Sequence, residues 1–168
     1  SSILRSADIV SYVGDQIAIV NSGEVFYSKD FPGANDKKTA TMSREPWGVV
    51  LAISPFNYPI NLAVTKIAPA LLAGNSVIVK GPTQGSICTM MLVEIFNKAG
   101  VPVGAISGVT GRGSEIGDYL IAHKDIDMIT FTGSSEVGKS IATKVGYKPL
   151  LLEMGGKDAA LVLNDADL

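Results

Sequence analysis

Residues 150–157 read Leu-Leu-Leu-Glu-Met-Gly-Gly-Lys, an apolar run that ends in a carboxylate followed by two glycines. The three leucines predict a buried strand, and the paired glycines mark its end because they do not favour a continuing strand. Glu153 is therefore expected at the carboxyl end of a buried strand, where open α/β sheets bind their ligands. Taken alone, a glutamate is more often a solvated surface residue.

The same order of apolar run and polar turn recurs upstream and decides the fold. From Gly48 onward, predicted strands at 49–53, 76–80, 105–109, 128–132 and 150–153 alternate with predicted helices at 60–73, 85–99, 113–122 and 135–145. The helix at 85–99 has Ile87, Met91 and Ile95 on one face. This alternation predicts a parallel sheet with right-handed crossovers, which is a Rossmann-like doubly wound α/β domain.

The first 46 residues follow another pattern. Residues 7–13 suit the end of a helix, and residues 39–44 alternate weakly like an exposed strand. Residues 16–20 and 24–27 are short β-type runs joined by Asn-Ser-Gly at 21–23, which is a hairpin signal. We therefore expect a β-ribbon ahead of the sheet.

Composition excludes several classes of protein. The formal net charge of −2 gives no reason to expect a nucleic-acid or membrane-surface partner. Lys66, Asn75 and Lys80 interrupt the apolar runs too often for a membrane span. One cysteine, Cys88, excludes an internal disulfide framework and favours a reducing compartment such as the cytoplasm. No clustered His and Cys residues suggest a metal site.

Three segments, taken in order, resemble a known family. They are Ser-Pro-Phe-Asn-Tyr-Pro at 54–59, Phe-Thr-Gly-Ser-Ser-Glu-Val-Gly at 131–138 and Leu-Glu-Met-Gly-Gly-Lys at 152–157. Together they resemble the aldehyde dehydrogenase superfamily over residues 46–168, and the run at 110–119 is very similar to its non-phosphorylating, NADP-dependent glyceraldehyde-3-phosphate subgroup. The resemblance implies oxidation of glyceraldehyde 3-phosphate to 3-phosphoglycerate. The alternative within the class is another small aldehyde, such as succinate semialdehyde or lactaldehyde.

The resemblance assigns chemistry to four residues that spacing alone leaves open. Asn57, between two prolines, is either an asparagine that satisfies a turn or the donor that stabilises an oxyanion. Lys66, among apolar residues, is either a lysine that extends its ammonium to the surface or a member of the site. Glu153 is implied as the general base that activates water. Tyr58 is implied as a ligand of the substrate phosphate, or is simply a wall of the pocket.

Lys80 and Thr83 bear on the choice of cofactor. Lys80 ends a predicted strand, where its ammonium is well placed to meet a cofactor ribose or phosphate. Thr83 stands where many NAD-using relatives carry glutamate, and a carboxylate would repel a 2′-phosphate. The pair therefore favours NADP, with NAD as the second choice. Gly81 departs from the proline that the glyceraldehyde-3-phosphate enzymes carry.

Other cofactor contacts follow from the resemblance. Ser134 offers a hydroxyl and an amide at a positive helix end, and it also suits an ordinary helix cap. The glycine-rich run at 111–117 is one residue too long for the usual dinucleotide fingerprint. The remaining residues implied to contact the cofactor are Ser54, Pro55, Gly113, Gly117, Phe131, Thr132, Gly133 and Gly155.

The resemblance also implies a domain organisation. Residues 1–46 are expected to form a helix end and an oligomerisation ribbon, and residues 47–168 the NAD(P)-binding domain of a homodimer or homotetramer. In the family pattern the nucleophilic cysteine lies beyond Leu168, and Cys88, inside a predicted helix, is not its counterpart. The rival hypothesis from another class is a nucleotide-binding module that does not oxidise aldehydes.

Overall fold

The computed structural model describes residues 2–30, 32–33 and 38–167. In these ranges the helices are α1 (Ser2–Gly14), α2 (Ile17–Val20), α3 (Asn61–Leu72), α4 (Ser86–Lys98), α5 (Gly113–Ala122) and α6 (Ser135–Lys144). The strands are β1 (Glu24–Tyr27), β2 (Thr39–Met42), β3 (Val49–Ile53), β4 (Ser76–Lys80), β5 (Ile106–Val109), β6 (Met128–Thr132) and β7 (Leu150–Glu153). No helix of this described part is long and apolar enough to cross a membrane.

The five later strands form one parallel sheet in the order β5-β4-β3-β6-β7. The chain adds strands outward from β3 to β4 and β5, then returns to the other side of β3 for β6 and β7. The predicted Rossmann-like doubly wound sheet is confirmed. The order in which the chain adds strands reverses between β3 and β6. The carboxyl ends of these two strands therefore form the crevice where such folds bind ligands.

Alternating side chains of the sheet pack into two separate cores. The first core joins the sheet to α3 and α4 and contains Ala52, Ala63, Val64, Ile67, Ala68, Val77, Val79, Leu92, Val93 and Ile106. The second lies on the opposite face, with α5 and α6, and contains Leu51, Ile121, Ile126, Ile129, Phe131, Ile141 and Val145. Successive residues of a strand point to opposite faces of the sheet. When one residue belongs to one core, the side chain of the next residue therefore points to the other face.

The N-terminal part corrects one prediction. Residues 16–20 are not a strand, since Ile17–Val20 is a short helix, and the hairpin predicted at 21–23 is wrong. The ribbon exists, but it pairs β1 with β2 in antiparallel register, from Glu24 opposite Met42 to Tyr27 opposite Thr39. Local β-type composition at 16–20 is overridden by a helical turn, which shows how weak a prior β-propensity is without a pairing partner.

Helix α4 presents an apolar row of side chains to solvent. Thr89, Leu92 and Val93 are its buried residues. The row of Ile87, Met91 and Ile95, at 73%, 57% and 60% exposed, lies away from the sheet. The helical spacing was therefore right, but α4 packs on the sheet through a different stripe.

Two hydrogen bonds from backbone N–H groups to side chains, together called the polar clasp, fix the amino edge of the sheet at Gly48. Asp127 Oδ2 accepts a hydrogen bond from Val49 N at 2.8 Å, and Asn75 Oδ1 accepts one from Gly48 N at 3.0 Å. Gly48 has φ +122°, and a Cβ built there would lie 2.9 Å from Asp127 Cγ. Only glycine satisfies both the backbone angle and this close approach.

We expect Gly48→Ala to lower the free energy of unfolding by roughly 2–4 kcal/mol, because it adds backbone strain and displaces the buttressing carboxylate. Urea unfolding measures the change. The matched control is Gly14→Ala, at the end of α1, where a Cβ meets nothing within 4 Å. Equal stability of the two variants would contradict this account of the clasp.

Candidate functional site at the carboxyl edge of the sheet

The predicted site residues collect along one edge of the sheet. The loop after β3 carries Ser54, Pro55, Asn57 and Tyr58, and β4 ends at Lys80 with Thr83 in the following loop. Gly113 begins α5 and Gly117 lies within it, while β6 ends in Phe131 and Thr132 and continues into Gly133 and Ser134. Glu153 ends β7, and Gly155 follows it. The prediction that the three leucines form a buried strand is wrong, because β7 is an edge strand in which Leu151 and Glu153 are exposed. Residues from five separate segments are thus brought to the edge that contains the crevice.

A lysine, a threonine and a glutamate are grouped at this edge. Lys66 of α3 is 7% exposed, and its Nζ donates a hydrogen bond to Thr132 Oγ1 at 2.5 Å. Thr132 is the cross-strand partner of Glu153 in the parallel ladder. Thr132 and Glu153 alternate with residues of the second core, so both side chains point to the α3 face.

Burial lowers the pKa of the Lys66 ammonium from its ordinary value, since the charged form loses hydration. The Glu153 carboxylate acts in the opposite direction and raises the pKa of Lys66, by the smaller amount. The two side chains therefore interact electrostatically. Lys66 is a buried cation of the site and not a lysine that extends to the surface.

Lys80 lies at the same edge but on the opposite face of the sheet. Its neighbours Val77 and Val79 belong to the first core and Ile78 packs against the second, so alternation points Lys80 to the α5 and α6 side. Lys80 is 7% exposed, and burial lowers its pKa. Its Nζ has no hydrogen bond or ion pair with the part of the chain that the structure describes. A cation that is mostly buried without a counter-charge suits an anionic ligand.

Ser54 reinforces this interpretation at the crevice itself. Its backbone N–H donates to the Lys80 carbonyl at 3.3 Å, which ties the end of β3 to the end of β4. The Ser54 hydroxyl is buried and finds no partner among the described residues. Buried hydroxyls normally have a hydrogen-bond partner, so an unpaired one at the end of β3, where the strand order reverses, suits a polar group of a ligand.

The two loops beside Lys80 are joined by a long hydrogen bond. Thr83 Oγ1 donates to the Gly111 carbonyl at 3.5 Å, which brings the loop after β4 against the loop after β5. Gly113 and Gly117, on the adjoining helix α5, each leave open space where a side chain would stand. The structure therefore places Thr83 next to the glycine-rich run but shows no contact of either α5 glycine with another site residue.

Ser134 caps helix α6. Its Oγ accepts from Val137 N at 3.3 Å, so the N-cap interpretation is right. The first turn of α6 points its positive end to the crevice, where it suits an anion. Gly133 lies over the Phe131 ring, with Phe131 Cε2 3.1 Å from where a Cβ would stand. Gly133 N also donates to the Glu153 carbonyl at 3.1 Å.

Asn57 and Tyr58 are exposed beyond β3. Asn57 Oδ1 accepts from Tyr58 N at 3.1 Å, which fixes the orientation of the amide. Asn57 Nδ2 has no partner within the described residues and is free to donate. Tyr58 is 58% exposed and offers its hydroxyl to a ligand above the edge. The turn role and the donor role of Asn57 are therefore compatible.

Sequence reasoning missed two residues that shape the site. Thr132 was expected only as a cofactor contact, yet it is the hydrogen-bond acceptor for Lys66. Gly138 was noticed only as the end of a motif, yet it is buried against Met154. The small residue at an otherwise unremarkable helix position was the available signal for Gly138, because glycine inside a helix lowers its stability.

The burial of Lys80 gives a stability prediction. Its folded-state pKa is lowered, so the unfolded chain binds the proton more tightly and the ammonium lowers stability at neutral pH. We expect Lys80→Met to raise the free energy of unfolding by about 1 kcal/mol at pH 7. The advantage shrinks as pH rises through the lowered pKa toward the ordinary value of 10.5. Urea unfolding at several pH values, with Lys139→Met as the exposed control, measures this, and a destabilised Lys80→Met chain would contradict it.

The chain belongs to the aldehyde dehydrogenase family, whose family model matches residues 1–168. It is 51% identical over 166 residues to the NADP-dependent glyceraldehyde-3-phosphate dehydrogenase of Streptococcus equinus, covering 99% of this chain and 35% of that protein. The enzyme of the same name from Triticum aestivum is 51% identical over 169 residues, covering 100% of this chain and 34% of that protein. The chain spans about a third of the length of these curated relatives.

Solved structures agree with this assignment. The NADP-dependent glyceraldehyde-3-phosphate dehydrogenase from Bacillus halodurans C-125, complexed with NADP, has a TM-score of 0.90 and 52% identity, covering 99% of this chain and 35% of that one. A salicylaldehyde dehydrogenase from Pseudomonas putida G7, complexed with salicylaldehyde, has a TM-score of 0.85 at 33% identity, covering 99% of this chain and 34% of that one. The same fold thus serves a different aldehyde at lower identity.

Proposed function

We propose that this chain is the NADP-binding portion of an enzyme that oxidises glyceraldehyde 3-phosphate to 3-phosphoglycerate. The observation that carries the proposal is the division of the carboxyl edge between its two faces. Lys66, Thr132 and Glu153 supply proton chemistry on one face, and Lys80 on the other is a buried cation without a counter-charge. A dinucleotide that crosses the edge meets both halves.

Residues at the carboxyl edge of the sheet fit NADP. Lys80, the orphaned hydroxyl of Ser54 and the first turn of α6 offer one cation and several donors to phosphate and ribose oxygens. When bound, NADP supplies the hydride acceptor. Gly155, which follows Glu153, has no side chain, so a ligand can approach its backbone closely.

The residues of the α3 face would take part in the reaction at the aldehyde carbon. Glu153 accepts a proton from the water that hydrolyses the acyl intermediate, and Asn57 Nδ2 donates to the oxyanion. Lys66 lies at the same end of the sheet as Glu153, and the Glu153 carboxylate raises the pKa of the Lys66 ammonium. The nucleophile is a cysteine outside these 168 residues; Cys88 is half-buried in α4.

The experiment that tests the activity joins this chain to the remaining two-thirds of a relative, such as the Bacillus halodurans enzyme. NADPH formation is followed with glyceraldehyde 3-phosphate, succinate semialdehyde and lactaldehyde in turn. We expect glyceraldehyde 3-phosphate to give the highest kcat/KM. A preference for one of the other aldehydes would support the alternative substrate, and no NADPH from any of them would support the nucleotide-binding module.

Thr83 gives a prediction for the cofactor. We expect Thr83→Glu to weaken NADP binding at least tenfold, with a much smaller effect on NAD, because the new carboxylate repels the 2′-phosphate. Calorimetric titration of both nucleotides into the chain measures the preference. Ser140→Glu adds the same charge on the exposed side of α6 and serves as control. Equal losses for NADP and NAD would contradict the role given to Thr83.

We further propose that residues 1–46 are an oligomerisation segment and residues 47–168 the cofactor domain. The ribbon of β1 and β2 supports this, since all of its residues are exposed, among them Val25, Phe26, Tyr27 and Met42. Exposed apolar ribbons are normally covered by a partner. A homodimer or homotetramer in the cytoplasm is the assembly proposed. Light scattering on the joined protein tests it, and a monomer would contradict it.

A further inference from the structure

Glu153 lies at the last residue of an edge strand, with little to fix it. Its carboxylate makes no hydrogen bond to any residue that the structure describes. Beyond it, residues 154–167 form no helix or strand. A general base needs a defined position, so another contact must determine where this side chain points.

Met154 makes that contact on the opposite face. Successive residues at the end of β7 point to opposite sides, so Glu153 faces α3 while Met154 faces α6. There Met154 covers Gly138, and a Cβ built on Gly138 would lie 3.1 Å from Met154 Cγ and still closer to its sulfur. Phe131 Cε1 lies 3.5 Å from the same Cβ position. Gly138 and Phe131 thus form the surface on which Met154 packs, which we call the seat.

The backbone at Glu153 is held by a hydrogen bond and by the packing of Met154 on the seat. Gly133 N donates to the Glu153 carbonyl at 3.1 Å, which fixes the peptide between residues 153 and 154. Met154 then anchors the backbone that follows this peptide, because its side chain packs into the space that Gly138 leaves without a Cβ. We propose that Met154, seated on Gly138, is a positioning residue that directs the Glu153 carboxylate to Lys66. The catalytic meaning of this seat rests on the proposed function, but the geometry does not.

The test uses Lys66 as a reporter in the 168-residue chain, without cofactor or substrate. The Glu153 carboxylate raises the pKa of Lys66, so movement of that carboxylate away from Lys66 lowers this pKa further. NMR titration of the Lys66 side chain in Glu153→Gln defines the full effect. We expect Met154→Ala and Gly138→Ala each to give more than half of it, and Met154→Leu, which preserves the volume, to titrate like the wild type.

The matched control is Gly14→Ala, the same change in a helix with open space around it, which should leave Lys66 unchanged. Gly138→Ala added to Met154→Ala should cause no further shift, because the clashing side chain is already absent. Wild-type titration of Lys66 in Met154→Ala would overturn the proposal, and this variant decides if Gly138→Ala fails to fold. In the joined protein, the seat variants should lower kcat with little change in KM. Failure of that activity in the wild type would contradict the proposed function and leave the Lys66 result standing.

Discussion

Glu153→Gln should lower the steady-state rate of aldehyde oxidation by roughly 10²- to 10⁴-fold in a protein that joins this chain to a cysteine-bearing remainder. The amide cannot accept a proton from water, so hydrolysis of the acyl intermediate fails. Acylation does not use Glu153 as the base for water. We therefore expect a burst of about one NADPH per active site, followed by near-complete arrest. Rapid mixing with glyceraldehyde 3-phosphate measures the burst.

The control for this experiment is Glu94→Gln, the same change on the exposed side of α4, where Glu94 pairs with Lys98 at 2.6 Å. It should leave the burst and the steady state unaltered. Loss of the burst itself in Glu153→Gln would assign this residue to an earlier step. An unchanged steady-state rate would mean that Glu153 is only a solvated carboxylate at a strand end.

Asn57→Ala should lower kcat/KM by roughly 10²- to 10³-fold in the same protein, because one oxyanion donor is lost. The side chain also accepts a hydrogen bond from Tyr58 N, so the alanine variant removes two interactions at once. Steady-state kinetics with the same aldehyde measures the total effect.

Asn57→Asp separates the two roles of this asparagine. The aspartate retains an oxygen to accept from Tyr58 N but has no N–H to offer the oxyanion. If the donor role is right, Asn57→Asp is as inactive as Asn57→Ala. An active aspartate variant beside an inactive alanine variant would establish the turn role alone. Asn97→Ala, an exposed asparagine of α4, provides the control for asparagine loss.

The sheet and its helices were predictable because their signals are local. Strands β3, β4, β6 and β7 and helix α5 begin and end at the predicted residues, since each apolar run is bounded by a polar or glycine-rich turn. The segment at 16–20 failed because its β-type residues have no pairing strand. The exposed row on α4 could not be foreseen, since three apolar residues at helical spacing do not specify which side of the helix meets the sheet.

The site was predictable as a set of strand ends but not as a set of contacts. Alternation explains why Glu153 and Lys80 reach the same edge on opposite faces, and that follows only once the strand order is known. The bond from Lys66 to Thr132 joins residues 66 positions apart, and no local pattern records it. The approach of Met154 to Gly138 likewise depends on how β7 packs beside α6.

The most direct test of the central claim is NADP titration into the chain, followed residue by residue through backbone amide NMR shifts, with NAD in parallel. We expect saturable NADP shifts at Ser54, Lys80, Thr83 and Ser134, stronger than those of NAD and weakened in Lys80→Ala. Saturable shifts confined to the amino edge of the sheet, or none at millimolar nucleotide, would contradict a cofactor site at the carboxyl edge.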